Sequence, residues 1–404
     1  MAIALQAPTA LLPVAGVAIG VARAGVKPTG AGNDLTLFRL SPQSRTSLML
    51  TRNRFCAAPV VVARNHHAQT RPLALLVNTG NANAGTGDRG ITDAIHCCSA
   101  VANALNIDAV AVLPFSTGVI GEPLPVERIL AAIPSCLHST RPDGWVDAAA
   151  AIMTTDTVPK GVSKTVEIDG QTVTLTGIAK GAGMIRPDMA TMLAFVATDA
   201  DITQPVLDTL LRDAVAISFN RITIDGDTST NDACLLAATG ASGVRLDHPD
   251  SLARFGDALR ELCCWLAQAI VRDGEGVTRF ISIDVRAAAS VAEAEQVAYT
   301  VAESPLVKTA AFAGDPNWGR ILAAIGRSGI DDLDVSGVSI WLDDYCIVDA
   351  GGRISDYSEP EAAARMARDE LTIRIELGRG EHAAVVWTTD LSYEYVRINA
   401  EYRS

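Results

Sequence analysis

Short apolar runs alternate with helical patterns along the chain, and this alternation restricts the fold to a combination of helices and sheets. The apolar runs predict strands at residues 59–63, 73–77, 109–114, 164–179 and 280–285. Amphipathic patterns predict helices at residues 91–105, 126–133, 206–217 and 251–274. Toward the end, the pattern is typical of antiparallel strands at residues 335–342, 372–377, 383–391 and 393–399. The chain has no repeat and no linker, so we predict an α+β fold in layers without a domain boundary.

The charge balance limits the class of ligand. The chain has 33 basic and 46 acidic residues among its 404, which gives a formal net charge of −13. Nucleic-acid and anionic-membrane surfaces need basic patches. We therefore predict small metabolites as partners, with no nucleic acid and no membrane.

The cysteines and histidines indicate neither a disulfide framework nor a metal site. The eight cysteines include no CxxC pair, and the six histidines lack metal-binding spacing. We expect buried thiols in a reducing compartment, and no metal. His66 and His67 lie in a polar stretch and are predicted to be on the surface. The apolar N-terminal stretch lacks the basic region of a signal peptide, so we predict a cytoplasmic protein.

Two glycine-rich stretches allow both a functional and a structural interpretation. GTGDRG (85–90) fits the pattern of a dinucleotide-binding loop, but NTGNANA separates it from the preceding strand, which favours a structural loop. A nucleotide-binding regulator that uses this loop is the alternative. In FSTGVIGEPLP (115–125), Thr117 and Gly118 are predicted in a turn after a strand. Glycine there would let backbone amides point together, as an oxyanion hole requires.

The stretch KGAGMIRPDMATMLAF (180–195) has a more specific interpretation. Glycines and a proline constrain the loop before Thr191. A threonine hydroxyl can attack the preceding carbonyl, so that water cuts the chain between Ala190 and Thr191. The free α-amine of Thr191, with a reference pKa of about 8, could then act as the base for its own hydroxyl. The structural alternative is a threonine that caps a helix.

Further motifs extend over practically the whole chain. In chain order they are NTGNANAGTG (78–87), STGVIGEPLP (116–125), MTTDTVPK (153–160), KGAGMIRPDMATML (180–193), DGDTSTND (225–232), RDGEGVTRF (272–280), SPLVKTA (304–310), DPNWGRI (315–321) and the terminal YVRINAEYRS. In this order they resemble the ornithine acetyltransferases, also called glutamate N-acetyltransferases, of the arginine pathway. The resemblance implies a layered α/β sandwich and a self-cleaved N-terminal-nucleophile enzyme. It divides the chain into an α chain, 1–190, and a β chain, 191–404.

The same resemblance implies roles for individual residues. Thr191 is the nucleophile, and cleavage falls between Ala190 and Thr191. Thr117 and Gly118 match the family's oxyanion pair. The expected substrate-binding residues are Thr154 (with Thr155 as the alternative), Lys180, Thr191, Glu275, Asn399 and Ser404. In this family asparagine usually follows the proline of the motif, whereas this chain has Asp188, which could slow the cleavage.

The implied reaction moves an acetyl group from N-acetylornithine to glutamate and releases ornithine and N-acetylglutamate. No cofactor is expected, although acetyl-CoA is a possible second donor. Two α and two β chains are expected to assemble. An N-terminal-nucleophile amidohydrolase or aminopeptidase, which delivers the acyl group to water, is the alternative activity.

Overall fold

A computed structural model describes residues 2–27, 32–186 and 192–401, which form two compact units. The N-terminal unit comprises Gln6–Asn220 and Thr228–Ile270, and the C-terminal unit comprises residues 2–5, 221–227 and 271–401. The prediction of a chain without a domain boundary is therefore wrong. After Ile270 the chain passes from the N-terminal to the C-terminal unit inside a helix, so the boundary has no linker sequence. The division into chains 1–190 and 191–404 does not follow these units and stays a prediction.

Two sheets form the centre of the N-terminal unit. Its strands are β1 (Val17–Ala22), β2 (Leu35–Leu40), β3 (Arg45–Leu50), β4 (Ala74–Asn81), β5 (Val112–Val119), β6 (Lys160–Ile168), β7 (Gln171–Lys180), β8 (Leu193–Thr198) and β9 (Ala233–Ala238). One sheet has the order β1-β2-β4-β5 and the other has the order β3-β9-β8-β7-β6. The pairs β4–β5 and β8–β9 are parallel, and the other pairs are antiparallel.

Helices pack on this pair of sheets. They are α1 (Ala58–Gln69), α2 (Gly87–Leu105), α3 (Val126–His138), α4 (Trp145–Ala151), α5 (Gln204–Ala216) and α6 (Pro249–Arg272). α2 and α3 share an apolar cluster with the four-stranded sheet. α5 packs on β3 and β9, and α6 lies so close to β7 that Leu262 would contact a Cβ added at Gly177. The unit is therefore the layered α/β sandwich expected from the sequence.

The inner faces of the two sheets meet in one apolar core. Phe195 on β8 lies between Phe38 of β2 and Phe115 of β5, with both ring centroids 5.1 Å away. Every residue of β8 and β9 is buried. Strands buried on both faces are typical of the centre of a layered sheet, and burial of apolar surface is the main term that holds such layers together.

The C-terminal unit has one mixed sheet of order β13-β12-β11-β14-β10-β15. Its strands are β10 (Phe280–Ala288), β11 (Ser339–Leu342), β12 (Tyr345–Asp349), β13 (Gly352–Arg353), β14 (Glu370–Glu376) and β15 (His382–Thr389). Its helices are α7 (Val291–Ala302), α8 (Pro305–Ala313), α9 (Trp318–Gly326), α10 (Glu359–Met366) and α11 (Tyr393–Glu401). β11 and β14 pair antiparallel, as predicted for this end of the chain, whereas β10 and β14 are parallel.

Two predicted strands are helices. Residues 59–63 lie in α1, where Pro59 occupies the first turn, a position that favours helix initiation over the strand propensity of the valines that follow. Residues 393–399 lie in α11, where Arg397 pairs with Glu394 and Glu401 at helical spacing. His66 is buried in α1 with Nδ1 2.8 Å from the Val112 carbonyl oxygen, so its predicted surface position is also wrong.

The longest predicted helix, at residues 251–274, is confirmed as α6, which begins at Pro249 and ends at Arg272. No helix among the described residues is long and apolar enough to cross a bilayer.

Candidate active site

Thr117 and Gly118 lie inside β5, not in a turn after it. The strand continues through Val119 and pairs with β4, so that Gly118 lies beside Gly80. Gly118 has φ = +134°, and a Cβ there would lie 2.2 Å from the carbonyl carbon of Gly80. Only glycine fits such a backbone approach. The close contact fixes the position of the strand at Thr117.

Buried amide and hydroxyl groups connect the strand to two other sequence motifs. The Ser116 hydroxyl donates to Asn78 Oδ1 at 2.5 Å, and Asn231 Nδ2 donates to the carbonyl oxygens of Ser116 and Ala82 at 2.9 and 2.6 Å. The motifs that begin at residues 78, 116 and 225 therefore meet at one place. A fully bonded polar network of this kind rigidifies the backbone around it.

Lys180, the last residue of β7, points to the same place. Its ammonium group donates to Thr117 Oγ1 at 3.3 Å, and the side chain is almost fully buried. The structure thus brings together two of the residues expected from the sequence: Thr117 of the oxyanion pair and Lys180 of the substrate-binding set.

Asp156 holds the chain around Lys180 in place. Its Oδ1 accepts hydrogen bonds from Lys160 Nζ at 2.6 Å and from the Gly181 amide at 2.7 Å. Burial alone would raise the pKa of this carboxyl group. The charges of Lys160 and Lys180 and the Gly181 hydrogen bond outweigh that effect, so the pKa of Asp156 lies well below its usual range. Asp156 is therefore a buried carboxylate with two lysines near it.

Thr154 reaches this group through its backbone. Its amide donates to Asp156 Oδ2 at 3.0 Å, and its side chain is partly exposed, as is that of the alternative Thr155. The structure thus places Thr154 two residues before the buried carboxylate whose pKa the charge of Lys180 lowers.

A cavity of about 30 Å³ lies between these elements. Its wall consists of Thr117, Lys180, Gly183, Met184, Met192, Leu193, Ser229, Asn231 and Asp232. The space is about that of a water molecule, and the polar groups around it are sufficient to bind one. Met192 is the residue that follows Thr191 in the sequence.

Asp232 is the residue of this wall that sequence reasoning missed. Its side chain is buried, and its Oδ2 has no hydrogen-bond partner among the described residues. Burial raises the pKa of Asp232 well above its usual range, although a hydrogen bond from Ser229 and the charge of Lys180 oppose the shift. The signal available in the sequence was only its place at the end of the motif DGDTSTND, beside an apolar strand.

Two further expected residues meet in the C-terminal unit. Asn399 on α11 donates from Nδ2 to Glu275 Oε2 at 2.8 Å. Tyr395, one helical turn earlier, donates to Asp225 Oδ2 at 3.3 Å. This unit therefore presents a carboxylate with an amide beside it, a group that can bind an ammonium ion. The predicted site residues Ala190, Thr191 and Ser404, and the family departure at Asp188, lie outside the described residues.

The glycine stretch 85–90 begins a helix and not a nucleotide loop at a strand end. β4, α2 and β5 form a parallel βαβ unit, and β4 extends to Asn81, so the first part of NTGNANA belongs to the strand and does not separate the motif from it. The segment between β4 and α2 forms hydrogen bonds with itself and with the first turn of α2. Asn83 Nδ2 donates to the Gly90 carbonyl oxygen at 2.9 Å, and the Thr86 hydroxyl donates to Asn83 Oδ1 at 2.8 Å. These contacts favour the structural interpretation of the motif. Among the described residues, no His, Cys, Asp and Glu side chains are grouped to hold a metal ion.

Comparison with known proteins extends the resemblance. The ArgJ family model matches residues 18–404. The arginine biosynthesis bifunctional protein ArgJ of Pseudomonas syringae pv. tomato (strain ATCC BAA-871 / DC3000) is 52% identical over 411 residues, which cover 100% of both chains. The protein of the same name from Pseudomonas fluorescens (strain Pf0-1) is 50% identical over 407 residues, again 100% of both chains.

A solved structure is also similar to this chain. The crystal structure of the arginine biosynthesis bifunctional protein argJ from Bacillus halodurans is 40% identical, with a TM-score of 0.48, over 50% of this chain and 96% of that chain. The family match and the two full-length relatives confirm the expectation of an acyltransferase of arginine biosynthesis. The chain belongs to the ArgJ family.

Proposed function

We propose that this protein is a glutamate N-acetyltransferase that moves an acetyl group from N2-acetylornithine to L-glutamate through an acetyl ester on Thr191. The observation that carries the proposal is the cavity in which Thr117 and Lys180 meet beside Met192, the residue bonded to Thr191.

The reaction has two half-reactions: the first transfers the acetyl group to Thr191, and the second transfers it from Thr191 to glutamate. In the first, Thr191 Oγ bonds to the acetyl carbon, the bond from that carbon to the ornithine nitrogen breaks, and ornithine leaves with a proton. In the second, the glutamate amine attacks the ester carbon, N-acetylglutamate leaves, and the Thr191 hydroxyl regains its proton. Covalent catalysis of this kind gives ping-pong kinetics.

Each half-reaction forms a tetrahedral intermediate with a negative oxygen. Thr117 and Gly118 are the proposed donors to that oxygen, and the position of β5 beside β4 supports this role because it leaves the donors little freedom to move. Preorganised donors stabilise the transition state without a reorganisation cost.

Charge complementarity supports the assignment of the substrate groups. Lys180, assisted by Thr154, is proposed to bind the α-carboxylate that acetylornithine and glutamate share. Glu275 with Asn399 is proposed to bind the side-chain ammonium of ornithine, and Ser404 completes the proposed substrate set. Asp156 is proposed to balance the second lysine, Lys160, so that Lys180 keeps a net positive charge for the substrate.

We infer that the chain cuts itself between Ala190 and Thr191 into chains 1–190 and 191–404, and that two of each assemble. We also infer that acetyl-CoA is a second acetyl donor, because two relatives at 50% identity or more are named bifunctional. The chemistry uses metabolites alone, without a cofactor or nucleic acid, which favours the cytoplasm.

The decisive experiment combines a cleavage assay with an ester trap. A denaturing gel with mass analysis should give two fragments of the wild type, the second beginning at Thr191, and an intact chain for Thr191→Ala. Acetylornithine labelled in its acetyl group, given without glutamate, should label Thr191. Label on another side chain, or an active enzyme that stays whole, would overturn the proposal.

A glutamate titration separates transfer from hydrolysis. Labelled acetylornithine should yield N-acetylglutamate in proportion to the glutamate supplied. Free acetate formed at the same rate with and without glutamate would instead indicate the amidohydrolase. A parallel assay with acetyl-CoA and glutamate, without acetylornithine, tests the second donor.

A further inference from the structure

None of the proposed roles uses the side chain of Asp232. Asp232 immediately precedes β9 and lines the same cavity as Thr117 and Lys180. Its Oδ2 is buried and lacks a partner among the described residues. A buried polar atom without a partner costs free energy, so such an atom in a native structure calls for an explanation.

Burial and the neighbouring groups act in opposite directions on the charge of Asp232. Lys180 is the charged side chain that lines the same cavity, and the polar groups of Thr117, Ser229 and Asn231 carry no charge. Lys180 donates to Thr117 and Asn231 Nδ2 donates to two carbonyl oxygens, and Asp232 Oδ2 has no partner among the described residues. Burial raises the pKa of Asp232 although a hydrogen bond from Ser229 and the charge of Lys180 oppose the shift, so burial favours the neutral acid.

The main chain places Asp232 close to Met192, the residue that follows Thr191 in the sequence. The Ala233 amide donates to the Met192 carbonyl oxygen at 2.9 Å, and the register of the parallel pair β8–β9 sets Leu193 beside Ala233. Asp232 and Met192 are therefore the residues that precede a paired position on neighbouring strands. One peptide bond separates Met192 from Thr191.

We propose that Asp232 is a further catalytic residue, which uses the proton on Oδ2 to donate a hydrogen bond to the negative oxygen of the tetrahedral intermediate, beside the donors at Thr117 and Gly118. The proton stays on Asp232 and no bond to it is broken. A neutral carboxyl group is a strong donor in a dry site, as ketosteroid isomerase demonstrates with an aspartic acid in its oxyanion hole. This inference rests on the proposed acetyl transfer.

Two substitutions of similar shape test whether Asp232 acts as a hydrogen-bond donor or as a charge. Asp232→Asn keeps an N–H donor and should retain kcat for acetyl transfer to within about tenfold, since the two donors differ by no more than an ordinary hydrogen bond. Asp232→Leu removes the donor and should lower kcat by about 10²- to 10³-fold, as the loss of an oxyanion donor does elsewhere. Equal losses in both variants would overturn the donor role.

The pH profile gives a readout that a structural role would not change. Activity of the wild type should fall at high pH, as Asp232 loses its proton, and Asp232→Asn should lack that fall. The matched control is Asp199→Asn, which changes a buried carboxyl group of the same unit that accepts from the Thr174 amide at 2.9 Å, outside the cavity. It should keep the wild-type profile. Superposable profiles for wild type and Asp232→Asn would contradict the proposal.

Infrared difference spectroscopy tests the protonation without any assay of activity. Protein labelled with ¹³C-aspartate should show a protonated carboxyl band at neutral pH that is absent from Asp232→Asn. A carboxylate band in its place would refute the neutral acid even if neither variant cleaves or turns over. If the wild type transfers no acetyl group, the proposed reaction fails, whereas the spectrum still reports on Asp232 alone.

Discussion

The Asp156 carboxylate accepts a hydrogen bond of 2.7 Å from the amide of Gly181, the residue that follows Lys180. The same oxygen accepts from Lys160, and both side chains of that ion pair are fully buried. The pair therefore fixes the position of the chain at the end of β7. Its contribution to the fold can be measured separately from catalysis.

Removing the charge of Asp156 should destabilise the protein. Asp156→Asn leaves the Lys160 ammonium buried without its counter-ion, and breaking a buried pair in this way costs about 3–5 kcal/mol of unfolding free energy. Urea denaturation measures the difference. The control is Glu261→Gln, which removes the partner of Lys164 from a largely exposed pair and should cost no more than about 1 kcal/mol. An Asp156→Asn protein as stable as the control would contradict the structure.

The same carboxylate should produce an acid-dependent term in stability. The pKa of Asp156 is lower in the folded protein than in the unfolded chain, so its contribution is complete above the unfolded value of about 4. It is lost as the pH falls below that value toward the folded pKa. The difference in unfolding free energy between wild type and Asp156→Asn should therefore shrink below about pH 4. A constant difference would show that the charge is not involved.

Lys308 predicts a second pH-dependent term in stability, at alkaline pH, in the C-terminal unit. Its ammonium group is buried among Thr388 and Thr389, with 3.0 and 3.1 Å to their hydroxyl oxygens. Burial lowers the pKa of Lys308 from 10.5 to about 8, although Asp390, Asp225 and Glu303 oppose the shift. Between these values the unfolded chain binds a proton that the folded protein does not, so stability should rise with pH.

The variant Lys308→Met isolates this term. The wild-type unfolding free energy minus that of Lys308→Met should increase by up to about 3 kcal/mol between pH 7 and pH 10.5. Guanidinium melts at several pH values measure the increase. The exposed control Lys164→Met should show no such increase. A flat difference for Lys308→Met would mean that this amine keeps its proton in the folded state.

Substitution of Lys180 should weaken the binding of both amino-acid substrates. Lys180→Met removes the cation proposed for the shared α-carboxylate, and a hydrogen bond to a charged group is worth about 10- to 100-fold in affinity. Steady-state kinetics should show a rise of that size in KM for acetylornithine and for glutamate. Lys164→Met again serves as the control, because that lysine lies on the exposed part of β6. An effect on one substrate alone would reassign Lys180.

Substitution of Glu275 should discriminate between the two substrates. Glu275→Gln retains a partner for Asn399 but removes the negative charge proposed for the ornithine ammonium. KM for glutamate in the reaction with acetyl-CoA should change little. In the reverse reaction, which starts from ornithine, KM for ornithine should rise by about 10- to 100-fold. Initial-rate assays in both directions measure this. Equal effects on glutamate and ornithine would argue for a structural role.

The sequence predicts much of the layered fold because β4, β7 and the helices α2, α3 and α5 follow simple apolar periods. The prediction fails where contacts between distant parts of the sequence determine the local structure. His66 belongs to a polar stretch, yet α1 packs on β5 and buries its ring. Residues 393–399 alternate like a strand but gain more from helical ion pairs.

The site was predictable only in part for the same reason. Thr117, Lys180, Glu275 and Asn399 were found through the family motifs. The consequence of burying Asp232 could not be read from the sequence, because the desolvation of a carboxyl group depends on the strands and loops around it. The backbone contact that requires glycine at position 118 likewise exists only once β4 and β5 are side by side.

The antiparallel pairing of β7 with β8 sets Lys180 beside Leu193, on opposite sides of the proposed cut. The hydrogen bonds along the two strands and the burial of all of β8 involve residues on either side of this point. A cut between Ala190 and Thr191 would therefore leave the two pieces held together by this strand pair. An affinity tag on either piece should retain the other through washing, and only a denaturant should separate them.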